Sequence, residues 1–405
     1  MSETIILRGV KIKNNTFALL IETLHLQGSV KAITAIHRQK HSERQGGVRF
    51  VDRGGNIEEL ANLTKAMTEK CTASRLPIDA LRSIIITPPG KLCDIEEKAA
   101  ILVEHFRTVI EQDQGAVFGP DMRCAEDVLS RVAEHKDLLP HVTGLTKEIG
   151  GLEINKRGYT AFGLVHALSL ALNGKIKSRS FSIQGFGSVG SRTARLIFES
   201  GGIIKAVSNS KHLLYSQNGL DIAQLYDLWE KWGNKCLPIY NDRNQSDDLL
   251  LSSQPEKIFE VPVDGFIPVA RTSVLASPEE LSLARRENPE ARDVTQFLQK
   301  TGVKIIVEGA NHPLTESAEF YLEDNGVIVL PDILVNCGGL IGTRLEWENR
   351  NLAVKPEQLS YLDDVCRSRI RETVEYNVLE VLNSKNHARR TVADIISKAQ
   401  ENRAH

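Results

Sequence analysis

The chain has 405 residues, with 50 Lys+Arg against 52 Asp+Glu, 41% apolar and 25% charged residues. At about 150 residues per domain this length suggests two domains or three, and the composition excludes a disordered or fibrous chain. The formal net charge of -2 gives no bulk attraction to nucleic acid or an anionic membrane, so neither is expected as a partner.

The N-terminus, MSETIILRGVKIKNN, lacks the basic start and apolar run of a signal peptide, and no stretch approaches the roughly 20 apolar residues of a bilayer span. A cytoplasmic protein is expected. The first hundred residues mix short β-branched runs with helical periods; residues 58–70 read as a helix and SIIITPP at 83–89 as a strand. From about residue 180 strand and helix alternate. Phe181–Gln184 reads as a strand, Val189–Glu199 as a helix, Ile203–Ser208 as a strand and Asp221–Trp232 as a helix. Strands follow at Gly265–Pro268, Val303–Val307 and Val327–Leu330, with a helix over Glu316–Glu323. This alternation is the mark of βαβ units and a parallel sheet. The last sixty residues read as helix, with Leu359, Leu362, Cys366, Ile370, Val374 and Val378 on one apolar stripe. The six cysteines, Cys71, Cys93, Cys124, Cys236, Cys337 and Cys366, show no zinc-ligand spacing and are expected as buried thiols. No metal site is expected.

The densest local motif is Gly185-Phe186-Gly187-Ser188-Val189-Gly190, between the strand FSIQ and the helix VGSRTARLIFES. Gly185 permits a tight turn, Gly187 lets backbone approach a pyrophosphate, and Gly190 lets helix and strand pack closely. Nineteen residues after Gly190, Asn209 stands where an acidic residue would grip the ribose 2′-OH of NAD, and Lys211 offers a partner to a 2′-phosphate. NAD and NADP both remain open.

The runs IQGFGSVG, AVSNSKHLLYSQNGLD, VEGANHPLT and PDILVNCGG…EW, in this order and spacing, resemble the glutamate/leucine/phenylalanine/valine dehydrogenase family over about residues 40–350. The resemblance implies an α/β fold of two domains. An N-terminal α/β substrate and oligomerisation domain spans 1–165 and is joined by C-terminal helices 350–405; a Rossmann NAD(P)-binding domain spans 166–349, with the active-site cleft between them. It implies oxidative deamination of an L-amino acid to a 2-oxo acid, with NAD or NADP as cofactor, in a homo-oligomer. Lys70, in Met67-Thr68-Glu69-Lys70, is then the anchor for the substrate α-carboxylate. Asp127, in Ala125-Glu126-Asp127-Val128, is the catalytic proton carrier. Thr160, Asn311 and Asn336 match residues that face or position cofactor and substrate amine.

The departures fall on the chemistry. Where the family carries a glycine-rich loop with a catalytic lysine, this chain has Arg75 to Ser83 with Arg82 in the lysine's place. Arginine stays protonated and cannot act as a base, and loss of a general base costs roughly 10²–10⁴ in rate. Arg82 still offers electrostatic polarisation of an oxyanion. Gln45, with Gly46 beside it, replaces the lysine that holds a glutamate side chain, while Thr343 keeps a hydroxyl where the glutamate branch has serine. The expectation is an amino-acid dehydrogenase-like enzyme not specific for glutamate. Two alternatives stay open: a catalytically impaired dinucleotide-binding subunit, and a relative with a different imine or amine reaction.

Overall fold

A computed structural model of the chain describes residues 4–12, 16–25, 30–37, 41–51, 57–88, 94–244, 246–350 and 356–401. The chain divides into two compact units, Met1–Arg157 with Leu340–Cys366 and Gly158–Gly339 with Arg367–His405.

The first unit is built on a six-stranded sheet in the order Thr4–Ile12, Thr16–His25, Val30–His37, Asp79–Ile86, Arg44–Val51, Ala116–Pro120. The first four strands pair antiparallel and the last three parallel. Successive side chains of a strand point to opposite faces. Ala32 and Ile36 accordingly enter one apolar cluster with Phe106 and Val109 of helix Ile95–Gln112, while Ile33 and Ala35 enter another with Leu60 of helix Ile57–Ala73. Both faces are covered, which is why the strand Val30–His37 is buried almost throughout. Asp94 caps the helix Ile95–Gln112 by accepting from Glu97 N, satisfying one of its free donors. Its His105 is buried and bonded to Thr23 Oγ1 at 2.8 Å and Thr34 Oγ1 at 2.7 Å.

The strand expected over 83–89 instead runs Asp79–Ile86. It starts earlier because Ala80 to Arg82 have strands on both sides to pair with, Arg44–Val51 and Val30–His37. Arg82 therefore lies within the sheet, opposite Ala35.

The second unit carries a seven-stranded sheet ordered Leu249–Ser252, Leu213–Ser216, Ile203–Ser208, Ser180–Gln184, Gly265–Pro268, Ile305–Val307, Ile328–Leu330. The last five are parallel and the first two form an antiparallel edge. From Ser180–Gln184 the chain moves to one side through helix Ser188–Glu199 and later returns to the other side at Gly265–Pro268. This doubly wound order is Rossmann-like and opens a crevice where the winding reverses, at the carboxyl ends of those two strands.

The tail departs from its expected place. The 28-residue helix Pro356–Asn383 passes through the division at Cys366, and its second half joins the second unit with helix Ala388–Glu401. Gly163 is the reason: a Cβ there would stand 3.4 Å from Ile370 and 3.7 Å from Val374, so the helix lies tightly on Tyr159–Ala171. Asn377 adds a bond to Leu334 O at 3.2 Å. The stripe residues from Leu359 to Val378 are all buried.

Among the described residues no helix is long and apolar enough to cross a membrane. The five described cysteines are buried, and Cys93 lies outside the described residues.

Phe106 and Phe118 stack with centroids 3.7 Å apart and are fully buried between helix and sheet. Phe106→Ala is expected to lower stability by about 3–5 kcal/mol through lost contacts and a cavity; urea unfolding followed by circular dichroism measures it.

Candidate active site

The first unit places Gln45, Gly46, Arg49 and Arg82 on the neighbouring parallel strands Arg44–Val51 and Asp79–Ile86. A Cβ on Gly46 would stand 1.6 Å from Leu81 O, so only glycine lets the backbones meet there. The carboxylate at Arg82 is Asp121, just beyond the strand Ala116–Pro120. Its Oδ2 accepts from Arg82 Nη2 at 2.6 Å, from Arg49 Nη2 at 2.8 Å and from Arg49 Nε at 3.0 Å. Gly47 makes room, since a Cβ there would lie 2.8 Å from Asp121 Cβ. The two guanidinium groups override burial and hold the Asp121 carboxyl well below the usual carboxylate range. Arg82 is 7% exposed, and its Nε has no partner among the described residues. That N–H is a buried donor left without an acceptor among the described residues.

Asp127, expected as the proton carrier, is exposed in the first turn of helix Glu126–Ala133 and its Oδ1 accepts from Val128 N at 2.8 Å. The run AEDV points to Asp127; the carboxylate paired with Arg82, which sequence reasoning missed, is Asp121 in Gly119-Pro120-Asp121, just past the carboxyl end of a parallel strand. Cys124 between them is buried, and burial pushes its thiol up to about 12, so it is no nucleophile.

Lys70 is half-buried in the last turn of helix Ile57–Ala73. Thr68 ties that helix down, accepting from Ala80 N at 3.1 Å and bonding His37 Nδ1 at 2.9 Å. Gln45 is buried; its Nε2 donates to Thr343 Oγ1 at 2.8 Å, and Thr343 Oγ1 donates to Leu340 O at 3.0 Å. Gln45 Oε1 is left without a partner among the described residues. Glu346, three residues on, accepts from Gly144 N and Leu152 N at 2.7 Å each and Leu145 N at 3.0 Å. Burial dominates these bonds and pushes its carboxyl up to about 7.

In the second unit the glycines of the fingerprint divide their roles. Gly185 has φ +106°, and a Cβ on it would stand 2.7 Å from Ala270 across the crevice. Gly185 N and Phe186 N both donate to Ser208 O, which ends the next strand. A Cβ on Gly190 would lie 1.9 Å from Gly185 O, whereas one on Gly187 meets nothing within 4 Å. Helix Ser188–Glu199, starting with Ser188 and Val189, has no side-chain cap and no acid in its first turn. The first N–H groups of such a helix have no intrahelical partner and suit an anion.

Asn209 is spent locally. Its Oδ1 accepts from Lys211 N and His212 N at 2.9 Å each, and its Nδ2 donates to Asn234 O at 3.0 Å. Lys211 is exposed on that turn, and Arg271 is exposed and paired with Glu290 at 3.2 Å. Thr160 Oγ1 accepts from Gly339 N at 3.2 Å. Asn336 Nδ2 donates to Gly309 O at 3.1 Å and reaches Asn311 Oδ1 at 3.4 Å, joining two loops at adjacent strand ends. Asn336 Oδ1 and Gln184 Oε1 are buried acceptors without a partner among the described residues.

The family model for glutamate/leucine/phenylalanine/valine dehydrogenase matches residues 150–404. The chain belongs to this family. Glutamate dehydrogenase A2 of Halobacterium salinarum is 29% identical over 353 residues, covering 84% of this chain and 77% of its own length. An NAD-specific glutamate dehydrogenase of Staphylococcus aureus is 25% identical over 366 residues, 86% of this chain and 79% of its own. The hetero-hexameric glutamate dehydrogenase of Thermus thermophilus, in its Leu-bound form, superposes with a TM-score of 0.74 over 99% of this chain and 88% of its own, at 22% identity.

The EW pair of this dehydrogenase carries a pH signature. Glu346 titrates at about 7 in the fold against 4.5 for an ordinary glutamate. A raised folded value favours folding fully below about pH 4.5 and loses that contribution as pH rises through about 7. The stability of Glu346→Gln relative to wild type is therefore expected to rise between those pH values and level off above them. Thermal unfolding across that range checks it; a difference independent of pH contradicts it.

Proposed function

We propose that this dehydrogenase oxidatively deaminates an L-amino acid other than glutamate, with Arg82 acting electrostatically in place of a general base. The observation that carries this is the Arg82–Asp121 contact at 2.6 Å with Arg49 on the same oxygen. Asp121 is kept ionised and Arg82 cannot lose its proton, so neither is suited to shuttling protons near neutral pH. The pair instead supports a fixed positive charge, with Arg82 Nε–H free to stabilise a developing oxyanion. Asp127, exposed to solvent, is left as the group that exchanges protons.

Lys70 anchors the substrate α-carboxylate in this reading. Gln45, bonded to Thr343 and uncharged, offers no counter-ion to a second carboxylate. The residues of the second unit fit a dinucleotide. Open space lies before Gly187, the helix start is uncapped, and the acceptors on Gln184 and Asn336 suit the N–H donors of a carboxamide. Gly185, Phe186, Gly187, Ser188, Val189 and Gly190 would hold the pyrophosphate, and Thr160, Asn311 and Asn336 the other end. NAD or NADP, when bound, supplies the hydride acceptor. Asn209 is occupied by its own turn, so Lys211 is the polar group left to greet a 2′-phosphate.

The same ion pair supports a second reading, a dinucleotide-binding subunit with little turnover of its own. The Thermus thermophilus relative is a hetero-hexamer, an assembly in which such a subunit has a place. We infer that this chain also oligomerises, as a homo-oligomer in the first reading.

A panel of L-amino acids assayed for NAD(P)H formation decides between them. Wild-type turnover that falls roughly 10²–10⁴-fold in Asp127→Asn supports the first reading. A silent wild type with turnover gained in Arg82→Lys supports the second. In an active enzyme, Gln45→Lys is expected to raise kcat/KM for glutamate roughly 10–100-fold by restoring a charged hydrogen bond; an unchanged value removes Gln45 from substrate selection.

A further inference from the structure

The second unit buries three carboxylates around the partly exposed Arg389, a group with no local motif in the sequence. Arg389, in the terminal helix Ala388–Glu401, reaches Glu308 Oε2 at 3.1 Å, Asp332 Oδ1 at 3.1 Å and Glu319 Oε2 at 2.9 Å. Glu308, Glu319 and Asp332 are each 2% exposed or less. Three ionised carboxylates around one guanidinium would leave two negative charges uncompensated away from water, which is costly. Burial, with Glu319 and Asp332 close by, raises Glu308 well above the usual range against the pull of Arg389.

The cluster is bonded to both loops that carry the cofactor-side asparagines. Glu308 stands three residues before Asn311, and Asp332 four residues before Asn336. Glu308 Oε2 accepts from Asp332 N at 3.0 Å, and Asp332 Oδ2 accepts from His312 N at 3.0 Å. Each carboxylate thus holds a backbone N–H of the other loop, and Arg389 holds both carboxylates. The remaining charged groups nearby belong to the two flanking helices. Glu323 accepts from Ala388 N at 2.8 Å, His387 pairs with Asp324 at 2.9 Å, and Arg390 lies over Phe320 at 5.0 Å.

We propose that Arg389 is a positioning residue for the dinucleotide site: by hydrogen-bonding Glu308 and Asp332 together it keeps the Asn311 and Asn336 segments in one register, so that cofactor affinity is governed from the last helix. This rests on the proposed assignment of Asn311 and Asn336 to the cofactor. Arginine suits the role because its planar fork serves three carboxylates at once, which a lysine cannot reproduce.

The test is fluorescence titration of NADH and NADPH into the full-length protein, from about pH 6 to about pH 9. Wild type is compared with Arg389→Lys, Arg389→Gln and Arg389→Gln/Glu319→Gln. Arg389→Lys is expected to lose about tenfold in affinity, the worth of one charged hydrogen bond. Arg389→Gln should lose more, with a loss that deepens as pH rises and Glu308 ionises. Removing Glu319 as well should recover part of the affinity and flatten the pH profile. Hydrogen exchange at the His312 and Asp332 amides should quicken in Arg389→Lys, which decides the matter even if the glutamine variant fails to fold. Folded variants that bind within about twofold of wild type, or lose affinity equally at every pH, overturn the proposal. A wild type that binds neither cofactor overturns the assignment of the asparagines and this inference with it.

Discussion

Two guanidinium groups converge on one oxygen of Asp121, and much of the first unit is arranged to permit it. Arg82 reaches that oxygen from inside the sheet because Asp79–Ile86 pairs as a strand along its full length. Arg49 reaches it from the adjacent strand, and Gly47 withholds a Cβ where Asp121 approaches. One negative and two positive charges leave a net positive centre. Removing the carboxylate would leave the buried Arg82 facing the half-buried Arg49 with nothing between them, so the charges are retained or lost as a set. A group built this way holds its protonation fixed, which favours binding and polarising an anion over passing protons.

The second unit solves a different problem, gathering polar groups without losing a packed sheet. Gly187 and Gly190 show how. Gly190 is needed for space inside, where helix meets strand, and Gly187 for space outside, where a ligand would lie. The same economy governs the loops after the last two strands. Asn336 crosses to Gly309 and Asn311, and the buried carboxylates beneath them hold backbone N–H groups. Polar residues packed this closely stay ordered only while every charge has an answer.

Legibility in the sequence followed the range of the forces involved. Ile203–Ser208 and Gly265–Pro268 were readable to the residue because short apolar runs between breakers carry their own signal. The start of Asp79–Ile86 was not, since Asp79 and Arg82 look unlike strand residues until both neighbouring strands are present. The fingerprint glycines were found by local spacing, and their geometry bears out the tight turn and close packing. Asp121 was not singled out, because a lone carboxylate after a strand carries little signal until Arg49 and Arg82 are seen to converge on it. Arg389 was invisible for a simpler reason: its partners lie 57 to 81 residues away, beyond any pattern a single sequence displays.

The bonds of Glu346 have a consequence for how the protein is made. Its carboxylate completes the turn around Gly144, Leu145 and Leu152, yet 194 residues separate it from Leu152. At a synthesis rate of about 5–20 residues per second, Leu152 would wait about 10–40 s for its partner. The intervening chain contains the whole seven-stranded sheet of the second unit. That sheet can form while the first unit is still missing its last segment. Leu340–Cys366 then completes the first unit, and Arg367–His405, made last, completes the second.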